Sequence, residues 1–201
     1  MNKSRLPAYV IAAVTVVMCT KPAEAHLNAT GMGPMYDGLA HFLTSPEDLV
    51  PVLAFALLAG LRGAAYGRRT MFTLPATWLV GCLLGLTASA TNESAGLSSV
   101  WFLLLGGLVA ADARLSLRVT TALAALLGLV HGYLNGSGMG QSGSAVVAAL
   151  GLVSAVFVLI ALGAGFVVRL QAHWARIAVR VAGSWIAASG LLMLGWALRA
   201  R

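Results

Sequence analysis

Apolar residues along this chain gather into runs of bilayer length, each closed by a short polar or arginine-bearing break. The pattern predicts an all-α membrane protein with about six spanning helices in one bundle. The runs extend from Tyr36 to Leu61, Met71 to Ala90, Leu97 to Ala111, Ser116 to Asn135, Ala145 to Val168 and Val179 to Leu198. The third is short for a ~30 Å hydrocarbon layer and is expected to extend at its ends or to tilt little.

The breaks fix a direction. Arg62, Arg68 and Arg69, then Arg114 and Arg118, then Arg169, Arg176 and Arg180 occupy alternate breaks, which places those loops in the cytoplasm. Thr91-Asn92-Glu93-Ser94 and the glycine- and serine-rich stretch from Gly136 to Ser144 carry no basic residue and face outward. Before the first run, Lys3 and Arg5 lead into an apolar stretch from Leu6 to Met18 and then Ala23-Glu24-Ala25. That is the form of a secretory signal peptide over residues 1–25, leaving residues 26–201 as a single polytopic domain with His26 at an outward N-terminus. Cys19 invites a lipoprotein alternative, but Met18 stands where that cleavage site needs a small residue. The leader and the arginine alternation agree on a multi-pass protein of a bacterial-type inner membrane.

Composition supports this picture. Hydrophobic residues make up 59% of the chain and charged residues 9%, too little polar surface to cover a soluble core. The formal net charge of +7 is spread between apolar runs as arginine, so it reads as a topology signal and not as a nucleic-acid footprint. Cys82 lies within an apolar run, and no disulfide framework is visible.

Ionisable groups at membrane depth are costly and usually mark a pathway, a partner or a helix end. Asp37, His41, Thr44 and Asp48 recur at spacings that form one polar stripe on a continuous helix, with Glu47 beside it. Imidazole and carboxylate suit divalent first-row metals. Ser45-Pro46-Glu47-Asp48 also has the form of an ordinary helix start, with acids against the positive end of the dipole. A span kinked or broken at Pro46 accommodates both readings. In the fourth run, Gly128, Gly132 and Gly136 permit close approach of another helix, and Gly81 and Gly85 offer a similar face in the second. His131 and Asn135 project together beside that stripe. An interhelical hydrogen bond is the alternative role for His131. Asp112, Arg114, His173 and Trp174 fall at cytoplasmic edges and are expected to be structural. Met32, Met35 and Met139 on the outward side keep copper on the list of metals.

These residues resemble the HupE/UreJ family, membrane proteins associated with hydrogenase and urease gene clusters and regarded as nickel or cobalt permeases. Its members look like a leader followed by about six spans, with an HPxxGxDH-type motif in the first and an HGxxHG-type motif in a later one. Here the first reads His41-Phe42-Leu43-Thr44-Ser45-Pro46-Glu47-Asp48 and the second His131-Gly132-Tyr133-Leu134-Asn135-Gly136. Both leading histidines are retained and Glu47 replaces aspartate, whereas Phe42, Ser45, Asp48 and Asn135 depart from the pattern. The chain looks like a divergent branch whose ligand set has moved from nitrogen toward oxygen.

The resemblance implies a secondary permease for a divalent transition-metal ion, nickel or cobalt before copper or zinc. Its outward-side site would lie between the first and fourth spans and use His41, Glu47, Asp48 and His131, with His26, Asp37 and Asn135 in second rank. The ion is substrate, and no permanently bound cofactor is expected. No nucleotide-binding motif is present, so movement would depend on an ion gradient, the membrane potential or a separate partner. Partners would be the ion, the bilayer and metalloenzyme-maturation proteins. The competing class is a metal-binding accessory or scaffold protein that translocates nothing. An intramembrane zinc enzyme is disfavoured by the lack of an HExxH motif.

Overall fold

The computed structural model of the protein describes residues 30–88, 95–139 and 143–199. The expected leader over residues 1–25 with Cys19, then His26, and the expected break at 91–94 lie outside these residues. Among the described residues the chain is all helical: α1 (Pro34–Thr44), α2 (Pro46–Arg62), α3 (Ala64–Gly85), α4 (Ala95–Ala110), α5 (Leu117–Met139), α6 (Ala145–Val168) and α7 (His173–Arg199). Three of them, α5, α6 and α7, are long and apolar enough to cross a membrane, and α1 with α2 makes a fourth if the bent pair is one span. The first two turns of α3 carry Arg68 and Arg69, and α4 has the apolar composition of a span but is shorter.

Several helices outrun the apolar runs that predict them. Helix α7 begins at His173, so His173 and Trp174 sit in its first turn and not in a loop, and α5 continues past Asn135 to Met139. Hydrophobicity marks what lies in lipid, whereas backbone hydrogen bonding carries a helix onward into polar flanks.

The first run departs most from a simple span. It breaks at Ser45 with a bend of 74° between α1 and α2. Ser45 is extended, and Pro46 takes the first helical position of α2, where its missing N–H costs nothing. Gly38 packs at Ala148 and Met35 at Gly151, so α1 runs against the direction of α6. Ala56 packs at Gly163 and Gly60 at Ala164 and Val167, so α2 runs along it. The break therefore divides the expected polar stripe: Asp37, His41 and Thr44 belong to α1, Glu47 and Asp48 to α2. Thr44 turns its hydroxyl back onto the Ala40 carbonyl at 2.8 Å.

Glycine contacts also set the order of the bundle. Gly128, Gly132 and Gly136 of α5 meet Leu74 to Trp78, Trp78 and Cys82 of α3 in turn, so these two helices run in the same direction. Gly106, Gly183 and Gly190 seat α4 against α7 in opposite directions. Phe72 meets Phe157 with ring centroids 6.0 Å apart, while Gly67 lies at Ala164, which makes α3 and α6 antiparallel. Helices α2 to α7 thus alternate in direction. The arginine-bearing breaks gather at one end as the sequence suggests.

At that end Asp112 follows α4 with a positive φ of 50°, a backbone region that aspartate tolerates better than most residues. Its carboxylate pairs with Arg62 at the end of α2 and lies 3.8 Å from Arg176 of α7. Arg176 donates to the Leu61 carbonyl at 3.3 Å, Arg180 to that of Ala110 at 3.0 Å, and Tyr66 to that of Leu115 at 3.1 Å. These contacts tie off the last carbonyls of α2 and α4, and the expectation that Asp112 is structural agrees with them.

Candidate functional site in the opposite half of the bundle

Because α2 begins at the break, its N-terminus lies inside the bundle, where the peptide dipoles favour negative charge. Asp48 stands in this first turn and is 1% exposed. Its carboxylate reaches across to α5. His131, fully buried, places Nδ1 2.8 Å from Asp48 Oδ1, and Asn135 donates from Nδ2 to Asp48 Oδ2 at 3.0 Å. Asp48 is thus an interhelical acceptor and not a cap: no side chain caps α2 at all. Helix α5 continues eight residues past His131, so the imidazole lies ~12 Å below the helix end. That is deeper than the outward edge suggested by the apolar run.

Two tryptophans enclose the pair. Trp78 of α3 lies 5.4 Å from the His131 ring between centroids, and Trp101 of α4 lies 5.9 Å away. Phe42 of α1 packs edge-on against Trp78 at 6.2 Å and is fully buried. Trp78 also donates from Nε1 to Asn135 Oδ1 at 3.2 Å. Five helices, α1 to α5, therefore converge on one buried polar group. Two of its nitrogens, His131 Nε2 and Trp101 Nε1, have no hydrogen-bond partner among the described residues.

Close approach of α3 and α5 makes this possible. A Cβ on Gly132 would collide with the Trp78 carbonyl, and one on Gly136 with that of Cys82. Gly81 and Gly85 meet the backbone of Leu129, Tyr133 and Ser137 in return. The two expected glycine faces are the two sides of a single interface, and it carries Trp78, His131 and Asn135 into register.

A HupE / UreJ protein family profile matches residues 14–193. The chain belongs to the HupE/UreJ family. Members of this family are membrane proteins associated with nickel and cobalt transport. No curated protein and no solved structure matches the chain significantly. In this HupE/UreJ protein Asp48 and Asn135, two positions that depart from the motifs as they stand in the family, bond directly to each other. An amide donor on α5 answers a carboxylate acceptor on α2, so the departures are matched as a pair.

The expected site residues divide into two sets. Asp48, His131 and Asn135 come together. His41, half-buried in the last turn of α1, and Glu47, half-buried in the first turn of α2, do not join them, and neither side chain has a polar partner among the described residues. Asp37 is occupied locally, accepting from the Thr30 N–H at 2.6 Å and hydroxyl at 2.7 Å. His26 lies outside the described residues. Among the described residues no group of three or more His, Cys, Asp or Glu side chains is close enough to hold a metal ion.

Trp78 and Trp101 were not legible as site residues, since an apolar run gives no reason to single out one bulky member. Position within a run does not single them out either, since Trp185 and Trp196 also fall within a run and are exposed, whereas Trp78 and Trp101 are buried.

Proposed function

We propose that this HupE/UreJ protein is a secondary permease for a divalent transition-metal ion, nickel or cobalt before copper or zinc. Its site would be built on Asp48 and His131 between the first and fourth spans. One observation carries the reading: a buried carboxylate and imidazole from two helices meet at depth, and the imidazole keeps one nitrogen open. An ion leaving water needs compensating negative charge, which Asp48 supplies, and a nitrogen ligand of intermediate softness, which His131 Nε2 supplies. Asn135 holds the carboxylate while the ion is absent. His41 and Glu47 flank the break at Ser45 and would receive the ion ahead of the buried pair, with Asp37 and His26 earlier on the same approach.

In this reading residues 1–25 are a cleaved leader, α2 to α7 are six crossings of a bacterial-type inner membrane, and α1 is a short outward segment folded against α6. The arginine-bearing end of the bundle faces the cytoplasm, as the positive-inside rule requires. The role is transport and not catalysis.

A metal-binding scaffold that moves nothing is the second reading, favoured by the limited ligand set around Asp48 and His131. Uptake of radiolabelled nickel into proteoliposomes containing the purified protein separates the two. Accumulation inside the vesicles, abolished when an ionophore dissipates the gradient, is expected for a permease. Nickel that binds to the protein but never enters the lumen would replace the permease with the scaffold.

A further inference from the structure

We infer that Trp78 is a positioning residue for this site, acting through Asn135 and Asp48 to hold the proton of His131 on Nδ1 and the lone pair on Nε2. Indole N–H is a donor only, so its 3.2 Å contact requires that the oxygen of the Asn135 amide face Trp78. The amide nitrogen then faces Asp48 and donates to Oδ2 at 3.0 Å. With Oδ2 engaged, Oδ1 accepts from the imidazole at 2.8 Å, and the hydrogen in that contact sits on His131 Nδ1. Nε2 is left as the acceptor nitrogen, buried among aromatic rings and without a partner among the described residues.

Each link in this relay has one direction: the indole N–H can only donate and the Asp48 carboxylate can only accept, so the Asn135 amide is held from both ends. Without the indole N–H the Asn135 amide is held by Asp48 alone and loses its second anchor. The carboxylate it braces then shifts, and its contact with the imidazole, which fixes the tautomer, weakens. A histidine ligand is oriented in this way by what its other nitrogen touches. Trp78 touches the ion at no point in this account. The relay rests on the proposed metal site only for ion affinity, since the tautomer of His131 is a property of the metal-free protein.

The test is nitrogen NMR of full-length protein with isotope-labelled histidine, metal-free in lipid nanodiscs at mildly alkaline pH. The His131 signals are assigned by their loss in His131→Gln. Wild-type protein is expected to show a protonated Nδ1 and an unprotonated Nε2. Trp78→Phe keeps a ring against Phe42 and His131 but removes the N–H, and it is expected to give a mixture in which Nε2 is also protonated. Nickel affinity, titrated separately with the metal alone, is expected to fall ~10–100-fold. Asn135→Leu breaks the same relay one link further on and serves if Trp78→Phe does not fold. An unchanged tautomer in both variants would overturn the inference. A tautomer that shifts in a protein whose wild type binds no nickel would uphold the relay and remove the metal reading.

Discussion

Replacing His131 with leucine is expected to destabilise the fold by about 3–5 kcal/mol and to end metal uptake, because it strands a carboxylate inside the bundle. Asp48 is 1% exposed, and its remaining side-chain donor would be Asn135. Asp48→Asn removes the charge with little change of shape and is expected to cost less, about 1–3 kcal/mol, the penalty of an unsatisfied buried polar contact. The consequence is a reversal of the usual order. Asp48→Asn combined with His131→Leu should be more stable than His131→Leu alone, which requires a coupling larger than the cost of Asp48→Asn by itself, at the upper end of the ~0.5–3 kcal/mol range for residues in contact. Unfolding in mixed micelles measures the four proteins side by side. Strictly additive costs would mean that Asp48 and His131 do not share an interaction, and the account of the buried pair would fail with them.

The second large effect is steric. Gly132→Leu places a branched side chain against the carbonyl of Trp78, and a backbone atom cannot rotate away as a side chain can. Overpacking commonly costs ~1–3 kcal/mol, and this case belongs at or above the upper end because α3 and α5 must separate along their shared face. Separation also pulls the Trp78 indole from Asn135, so the site is lost together with the stability. Gly138→Leu is the matched control, since a Cβ there has nothing within 4 Å. Thermal unfolding of the two variants in the same detergent decides the matter. Equal stability would show that the glycine face is not a close contact.

Much of this architecture is legible in the sequence because lipid imposes a coarse, strong rule: apolar runs become helices, and arginines mark one end. The run Ala145 to Val168 becomes a helix with those same ends. The break at Ser45 is half legible. Ser45-Pro46 announces a helix start, yet whether the chain bends slightly there or folds back depends on what α1 finds to pack against, and that is α6, a hundred residues away in sequence. The separation of His41 from His131 follows from this fold-back and could not be read from helical spacing, which assumes one continuous axis. Glu47, by contrast, stays on α2 with Asp48 but one residue round the helix from it. The pairing of Asp48 with Asn135 is a long-range match of donor and acceptor, and only the approach of α2 to α5 reveals it. Trp78 is hidden for a different reason, since its part in the site depends on one N–H and not on its bulk.

The claim that His131 Nε2 is a ligand can be tested directly by X-ray absorption at the nickel edge. The sample would be tag-free protein in nanodiscs loaded with one equivalent of nickel. Imidazole scattering is expected in the wild type, reduced in His131→Gln and undiminished in His173→Gln, whose side chain lies at the other end of the bundle. An imidazole signal unchanged by His131→Gln would contradict the account and return His131 to a purely structural hydrogen bond with Asp48.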